Sequence, residues 1–329
     1  MRTLVLDREY RVDGANVQLK RFNRCWFYCA SSLTDVHWFH AYEVKKLLIN
    51  QSICRDVLLV VCWMSIVLWT TQVLGTDDPS PLSPAAALER FQLVDGFRIE
   101  LVAAEPEVID PVAIAFDENG RLWVVEMIDY PNGPDVGEEP KSRVRVLEDN
   151  DRDGRFETAR TFVDGLLFAT GLQPWKGGVF VTVAGKLIYC RDTNGDGSAD
   201  LIETWFTGFA ELNQQLRANH PTFGIDNKIY VANGLRGGKI VGHFTDNGDE
   251  AAVVNLNGMD FRFNPLNGNY DVVSGMGQFA MSFDDFGNRF VCDNRRPIKH
   301  IVLEDQYLKR NSFLAIPAVF ENVAPAGAA

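Results

Sequence analysis

From residue 97 onward, short apolar runs rich in Val, Ile, Phe and Tyr alternate with turn sequences that contain Gly, Asn or Asp. One module recurs, in which an apolar strand, a tight turn and a second apolar strand follow each other. It occupies residues 111–126, 171–183, 220–234 and 279–294. The turn residues Gly120, Gly178, Asn227 and Gly287 are separated by 58, 49 and 60 positions. The pattern therefore predicts a repeated β-hairpin.

Further strand patterns follow the first three modules, and no long helical pattern interrupts them. They cover residues 143–147, 156–163, 186–191, 201–206, 239–244, 251–255 and 259–263, with an extra strand at 97–104. About four antiparallel strands per unit, repeated every 40–60 residues, are typical of β-propeller blades. We predict an all-β chain in which about four four-stranded blades form an incomplete, open arc. A β-sandwich is the alternative, but a sandwich does not repeat one hairpin at this period.

One long apolar run, residues 57–75, precedes this pattern and contains no charged residue. Its length approaches the roughly 20 residues that cross a bilayer, and Lys45, Lys46 and Arg55 precede it. We expect a signal peptide or a transmembrane anchor that exports the remainder, and a buried core helix is the other alternative. The predicted organisation is an N-terminal extension or mis-assigned start (1–55), the hydrophobic helix (56–75), a linker (76–90) and the partial propeller (91–329).

Composition and charge narrow the functional classes. The formal net charge is −12, and the excess of acidic over basic residues lies in the part of the chain that follows residue 75. Such a body lacks the basic footprint that nucleic-acid binding requires, so no nucleic-acid partner is expected. Of the six cysteines, only Cys190 and Cys292 lie in the strand-rich region. This excludes a disulfide framework there, although a single Cys190–Cys292 bridge stays open.

Two acidic loops follow the third strand of their units. Residues 192–203 place oxygen-bearing side chains at positions 1, 3, 5, 7, 9 and 12 of a calcium loop, with Gly197 at position 6. These predicted calcium ligands are Asp192, Asn194, Asp196, Ser198, Asp200 and Glu203. Residues 149–157 match less completely, because Arg155 and Arg160 take positions 7 and 12. The alternative is a pair of metal-free Asp/Asn/Gly turns.

Propeller chemistry takes place at one mouth of the central channel, where the loops before the first strands and after the second strands meet. Several groups there could bind an anion and accept a proton. The candidates are Glu126, Met127, Asp129, Arg217, Asn219, His220, Asn233, Arg236, Asn294, Arg295, Arg296 and His300. We take His220 and Arg217 as catalytic candidates, and Asn233, Arg236, Arg295 and Arg296 as candidates for binding a cofactor.

Several stretches together resemble the N-terminal domain of planctomycete-type membrane-bound dehydrogenases. They include PVAIAFDENGRLWVVE, LEDNDRDGRFETARTFVDGL, NQQLRANHPTFGIDNKIYVANG and FGNRFVCDNRRPIKHIVLEDQYLKRN, and the resemblance extends over residues 88–325. It implies an exported, six-bladed TolB-like propeller related to soluble quinoprotein sugar dehydrogenases. It further implies oxidation of a sugar or alcohol, pyrroloquinoline quinone as cofactor, and a cytochrome c electron acceptor supplied by a further domain or another chain.

A binding module is the second functional hypothesis. In that case the propeller holds a polysaccharide or a protein partner at the cell surface and carries out no chemistry. The absence of a CxxCH haem motif in this sequence favours this alternative.

Overall fold

The computed structural model describes residues 81–243, 252–311 and 313–325. The described residues fall into two units, residues 81–91 in the first and the described residues from 92 onward in the second. In the first unit, a short helix α1 (Pro84–Leu88) begins after Ser83, whose hydroxyl accepts a hydrogen bond from the Ala86 N–H. The apolar run 57–75 lies outside the described residues. Within the described ranges, no helix has the length and apolar character needed to cross a membrane.

The second unit is built almost entirely of antiparallel strands, which confirms the predicted all-β, propeller-like fold. In chain order the strands are β1 (Pro111–Phe116), β2 (Leu122–Glu126), β3 (Ser142–Glu148), β4 (Thr158–Leu166), β5 (Gly171–Trp175), β6 (Gly178–Val183), β7 (Lys186–Arg191), β8 (Leu201–Phe209), β9 (Asn219–Phe223), β10 (Ile229–Ala232), β11 (Gly238–Gly242), β12 (Val254–Asn255), β13 (Asp260–Phe263), β14 (Tyr270–Val273), β15 (Phe279–Phe283), β16 (Arg289–Cys292), β17 (Lys299–Ile301) and β18 (Phe320–Asn322). A short helix α2 (Asp305–Leu308) separates β17 from β18.

These strands form four antiparallel sheets. Sheet I has the order β1-β2-β3-β4, and sheet II has the order β5-β6-β7-β8-β11-β12. Sheet III has the order β9-β10-β13-β14, and sheet IV has the order β15-β16-β17-β18. Each sheet therefore begins with one of the hairpins that the sequence predicts.

The hairpin turns explain why these modules fold locally. In sheet I, the Asp117 carboxylate accepts hydrogen bonds from the backbone N–H groups of Asn119 and Arg121. In sheet IV, the Asp284 carboxylate accepts the same two bonds from the N–H groups of Phe286 and Asn288. A short side chain that binds its own turn backbone is a local signal, so the hairpins could be read from the sequence.

The sheets stand in a row, with their first strands side by side. β1 contacts β5, β5 contacts β9, and β9 contacts β15. Apolar clusters fill the spaces between successive sheets, as where Phe180 of sheet II meets Phe263 of sheet III with ring centroids 5.1 Å apart. Among the described strands the sheets do not close into a barrel, in agreement with the predicted open arc.

One sheet departs from the predicted four strands. The segments predicted to complete the third blade, 239–244 and 251–255, instead form β11 and β12 at the outer edge of sheet II. β11 pairs with β8, so that Gly238 lies opposite Phe209, and sheet III is completed by β13 and β14. Gly208 and Gly238 permit this close approach of β8 and β11. A Cβ on Gly208, for example, would lie 1.9 Å from the Lys239 carbonyl oxygen. The prediction was wrong since edge pairing of this kind has no local sequence signal.

The predicted strand at 97–104 is also absent from the described structure. Only its second half is buried, on the outer face of sheet I, where Val102 and Ala103, together with Val108 further along the chain, pack on Leu122 and Phe156. A backbone hydrogen bond from the Phe156 N–H to the Val102 carbonyl oxygen links the segment to the loop between β3 and β4. The apolar pattern therefore records burial rather than strand pairing.

The β8–β11 pairing predicts that Gly208→Ala destabilises the protein by about 2–4 kcal/mol, because overpacking adds to the backbone strain of a positive φ. Gly195→Ala is the matched control: its φ of +84° is similar to the +94° of Gly208, but a Cβ there meets nothing within 4 Å. We expect the control to cost only about 1 kcal/mol. Urea unfolding followed by tryptophan fluorescence measures both. Equal losses would contradict the pairing.

Candidate functional site

Buried polar side chains gather at one end of the sheets. We call this the mouth end: it is the end at which β1, β5, β9 and β15 begin, and the antiparallel order brings the loops after β2, β10 and β16 to the same place. The buried polar residues at this end are Glu126, Asp129, Ser142, Thr182, Arg217, Asn219, Asn233, Asp260, Ser274, Gln278 and Lys299. Buried polar groups need partners, so their hydrogen bonds decide which of them remain free for a ligand.

Two side chains tie one sheet to the next. The Thr170 hydroxyl donates to the Ala218 carbonyl oxygen over 2.7 Å, and Thr170 precedes β5 while Ala218 precedes β9. The Asn219 amide Nδ2 donates to the Gln278 carbonyl oxygen over 2.8 Å. Each bond connects the beginning of one first strand to the residue that precedes the next. These two links fix the spacing of sheets II, III and IV at the mouth end.

Other buried groups hold the loops that follow the second strands. The Asp129 carboxylate accepts hydrogen bonds from the N–H groups of Lys141 and Ser142, each 2.9 Å long, and so closes the loop between β2 and β3. Asn233 does the same after β10, where its Nδ2 donates to the carbonyl oxygens of Leu256 and Met259.

The side-chain oxygen of Asn233 is also engaged, because it accepts the Gly237 N–H over 2.8 Å. Its amide, which we predicted to bind a cofactor, is thus occupied by the backbone. Arg236 follows on the same loop and is exposed.

The loop after β16 contains the other two predicted cofactor residues. Arg296 forms an ion pair of 3.2 Å with Asp293, and Arg295 is exposed. Burial raises the pKa of the Asp293 carboxyl, but hydrogen bonding to Lys299 and to the loop backbone outweighs it and lowers the pKa overall. Asp293 is therefore ionised at neutral pH and neutralises Lys299, whose Nζ lies 3.0 Å away.

Arg217 is buried directly before β9. Its Nε and Nη2 donate to the Glu211 carbonyl oxygen over 3.2 and 2.9 Å, and its guanidinium lies 4.3 Å from the centre of the Phe168 ring. Nη1 is buried and has no hydrogen-bond partner in the described part of the chain. Burial lowers the pKa of this guanidinium. Arg217 is thus a fixed cation that packs on an aromatic ring.

His220 is the second residue of β9 and lies at a break in the β9–β10 register, with a φ of +52°. Ala280 holds the same place in β15, with a φ of +47°. The bulge is therefore a repeated feature that turns the side chain of this position. Burial lowers the pKa of His220, and a hydrogen bond to the Met281 backbone opposes this shift only in part. The imidazole is neutral at neutral pH and can accept a proton.

The structure brings some of the predicted residues together and separates others. Gly234 approaches Arg217 so closely that a Cβ on the glycine would lie 2.1 Å from the Arg217 carbonyl oxygen, which places Asn233 beside Arg217. His300 is not part of this group. It faces away from sheet III and stacks on Phe290, with ring centroids 5.0 Å apart.

The two acidic loops lie at the opposite end of the sheets, between β3 and β4 and between β7 and β8, as the sequence predicts. Their hydrogen bonds match: the Asp149 carboxylate accepts the N–H groups of Arg152 and Gly154, and the Asp192 carboxylate accepts those of Gly195 and Gly197. The bonds from Gly197 and Gly195 lower the pKa of Asp192. Both loops are thus folded by the same backbone contacts.

The loops differ in how their carboxylates converge. Ligand oxygens of Asp149, Asp151 and Asp153 lie within 4.8 Å of one another, and no other trio of acidic, His or Cys groups in residues 81–243, 252–311 and 313–325 does so. Glu203, predicted at position 12 of the second loop, lies on β8 and accepts a 3.4 Å hydrogen bond from Trp205. The geometry thus gathers carboxylates in the loop that the sequence matched less completely.

Sequence reasoning missed the residues that organise the mouth end. Asp260 is buried between sheets III and IV and forms a 3.1 Å ion pair with Arg289, which also pairs with Glu304. One signal was available: Arg289 stands where the aligned hairpins have Leu122 and Ile229, both core residues. A cation at a core position indicates a buried counter-charge.

Comparison with known proteins places most of the chain in one family. A family model described as "Domain of unknown function (DUF7133)" matches residues 83–328. No curated protein matches the chain. The resemblance to planctomycete-type dehydrogenases stays a prediction.

Solved structures resemble the chain only distantly. A luciferin-regenerating enzyme matches 59% of this chain and 56% of its own, at 7% identity and a TM-score of 0.36. The PQQ domain of pyranose dehydrogenase from Coprinopsis cinerea matches 59% of this chain and 44% of its own, at 11% identity and a TM-score of 0.36. A putative glucose dehydrogenase from Thermus thermophilus matches 67% of this chain and 85% of its own, at 16% identity and a TM-score of 0.33.

The chain thus spans about half the length of the first two of these structures. Because these TM-scores are low, any argument about the activity of this chain must come from its own residues.

If the acidic loops bind calcium, isothermal titration should give a dissociation constant on the order of 10⁻⁴–10⁻³ M, the range of extracellular modules. Asp151→Asn should weaken binding at the first loop, because it removes one of three converging carboxylates. Asp196→Asn tests the second loop in the same way. Asp164→Asn, at an exposed carboxylate on β4, is the control and should leave the titration unchanged. Identical heats for all four proteins would refute both sites.

Proposed function

The chain belongs to the DUF7133 family, and for this member we propose a dehydrogenase-like β-propeller that oxidises a sugar or an alcohol. The observation that carries the proposal is the neutral imidazole of His220, held at the mouth end by a β-bulge. The sequence resemblance described above supports the same reaction class. Oxidation of an alcohol to a carbonyl removes the proton of the hydroxyl group, and it removes the hydrogen on the neighbouring carbon together with two electrons. His220 is placed to accept the hydroxyl proton.

Arg217 has a supporting role in this proposal. Its guanidinium is held by the Glu211 carbonyl oxygen and by the face of Phe168, so its position does not depend on a ligand. A fixed positive charge near the start of β9 favours the anionic form of a substrate hydroxyl as the proton leaves. The surrounding backbone, in which Gly234 packs against the Arg217 carbonyl, keeps this segment rigid.

The resemblance implies a quinone cofactor with several carboxylates, and the predicted residues fit such a group only in part. Asn233 has no free amide atom, and Arg296 is paired with Asp293. Arg236 and Arg295 are exposed and could face an anion. When bound, a quinone would accept the two electrons. Because the fit is incomplete, we derive no step through it.

We further propose that the protein is exported and attached to the membrane through residues 57–75, with a cytochrome c as the eventual electron acceptor. The apolar run and the basic residues before it support this location. The acidic excess that follows the run suits an extracytoplasmic surface.

A non-catalytic propeller that binds a polysaccharide or a protein partner is the second candidate. One observation favours it: the buried polar groups at the mouth end, among them Asp129 and Asn233, are occupied by backbone hydrogen bonds. When buried polar side chains are used to position loops, few of them remain available to act on a substrate. Binding to a polysaccharide without turnover of any of its sugars would favour this candidate.

Dye-linked oxidation of a panel of sugars and alcohols, with and without added quinone and calcium, tests the enzymatic proposal. His220→Gln should lower kcat by about 10²–10⁴-fold, because a positioned base contributes about that factor. His243→Gln is the matched control, since His243 is exposed beside the outer strands of sheet II, where its ring contacts Thr207 of β8.

The pH profile provides a second test. Burial lowers the pKa of His220 from its ordinary value of 6.5, so its basic form predominates at neutral pH. We expect kcat/KM to be level at neutral pH and to fall only below pH 6.5, as the imidazole gains a proton. Absence of turnover by the wild-type protein across the panel would refute the enzymatic proposal.

A further inference from the structure

Gly171, the first residue of β5, packs directly against the backbone of the candidate base. A Cβ on Gly171 would lie 2.5 Å from the His220 backbone nitrogen, 3.0 Å from the His220 Cα atom and 2.8 Å from Cδ of Pro221. A real Cβ atom does not approach its neighbours so closely, so a residue without a side chain leaves room for the bulge of β9. The contact lies at the mouth end, where β5 and β9 begin side by side.

The repeated architecture does not itself require a glycine at this place. The first strands of the other three described sheets begin with residues that have side chains, which are Pro111, Asn219 and Phe279. Asn219 is the informative case, because β9 lies beside β15 as β5 lies beside β9. The neighbouring bulge is there at Ala280, and the Asn219 side chain is accommodated and binds the Gln278 carbonyl oxygen. The missing side chain at Gly171 is thus particular to the position next to His220.

The His220 ring is held from the other neighbouring sheet. Burial lowers the pKa of the ring, and a hydrogen bond to the Met281 backbone on β15 raises it. A bond that favours the protonated ring is one in which the imidazole donates, so the Met281 carbonyl oxygen accepts. The second ring nitrogen is then the one that can accept a proton. Its direction depends on where β5 sets the His220 backbone.

The strands around β9 offer little charge that could hold the ring. β9 packs against β5, β6, β10 and β15, and Tyr230 on β10 has the only titratable side chain of these four strands. Its hydroxyl donates to the Asp226 carboxylate over 3.1 Å. On the segment of His220 itself, Arg217 is three residues earlier and packs on the Phe168 ring. The packing of backbone on backbone therefore sets the position of His220.

We propose that Gly171 is a positioning residue for His220: having no side chain, it lets β5 fix the bulge of β9, so that the imidazole keeps its bond to Met281 and holds its second nitrogen in one direction. This inference rests on the proposed function only in taking His220 as the base. The contact itself is independent of turnover. A side chain at residue 171 would displace the His220 backbone, and a displacement of about 1 Å is enough to impair a catalytic group.

Gly171→Ala tests the proposal, and Gly178→Ala is its matched control. Gly178 begins β6 at the other end of the same hairpin, and a Cβ there would lie 2.5 Å from the Cys190 carbonyl oxygen. Neither glycine has a positive φ, so each substitution adds a steric conflict of similar size without backbone strain. Both variants should unfold at lower urea concentrations than the wild-type protein. Only Gly171→Ala should disturb His220.

An NMR titration of the imidazole protons, in the full chain with isotope-labelled histidine, measures the effect on His220. Its signal is identified by its loss in His220→Gln. The wild-type midpoint should lie below 6.5. In Gly171→Ala the midpoint should rise toward 6.5, because burial is the larger of the two effects and a displaced ring becomes more exposed. Gly178→Ala should keep the wild-type midpoint. In the oxidation assay, Gly171→Ala should lower kcat by about 10²-fold with little change in KM.

Thr170→Val provides a second variant in case Gly171→Ala fails to fold. The Thr170 hydroxyl donates to the Ala218 carbonyl oxygen over 2.7 Å and so ties the start of β5 to the segment before β9. Valine has nearly the shape of threonine but cannot donate this bond. The His220 midpoint should therefore rise in Thr170→Val as well, without any added volume.

A His220 midpoint that does not rise in Gly171→Ala would overturn the proposal. Equal rises in Gly171→Ala and Gly178→Ala would also overturn it, because general loss of stability would then explain both. If Gly171→Ala does not fold, an unchanged midpoint in Thr170→Val has the same consequence. Absence of turnover by the wild-type protein would refute the proposed function alone, since the titration measures the position of His220 without any substrate.

Discussion

The hydrogen bonds of buried polar groups at the mouth end are the constraint on which the rest of the structure depends. Asp260 shows how they act: its carboxylate accepts the N–H groups of Asn233 and Gly277 over 3.0 and 2.9 Å, and it pairs with Arg289. It thereby joins the loop after β10, the connection into sheet IV and a strand of sheet IV. Burial raises the pKa of Asp260, and Arg289 opposes this shift. A carboxylate so deeply buried must keep all these partners, so the three segments cannot move independently.

The same constraint limits what the mouth end can do. Donors and acceptors that hold a loop are not available to a ligand, and this applies to most of the polar residues that the sequence suggests for a site. Asn233 is the clearest case, because both its amide atoms bind backbone groups. His220 differs in that its ring contacts the backbone of Met281, which occupies only one of two nitrogens. Of the residues suggested for catalysis, the ones that remain available therefore lie at the start of β9.

The sequence predicts those parts of the fold that depend on contacts between residues close together in the chain. Hairpins whose turns are bound by Asp117 or Asp284 could be recognised from spacing and turn residues. The transfer of β11 and β12 to sheet II could not, because it depends on the distant meeting of Gly208 and Lys239. The candidate site followed the same rule. The ends of strands could be located, but whether Asn233 binds a loop or a ligand depends on Leu256 and Met259, which the chain brings near only after folding.

The boundary between sheets III and IV contains a buried ion pair beside its apolar cluster, and this pair has an energetic meaning. A buried ion pair such as Asp260–Arg289 contributes little net stability, because desolvation of both charges offsets their attraction. Its value lies in specificity, since an apolar pair would tolerate small shifts of one sheet against the other. Arg289 also contacts the Ser274 carbonyl and Glu304, so any shift would break several charged bonds at once. Sheet IV is therefore fixed in one orientation on sheet III.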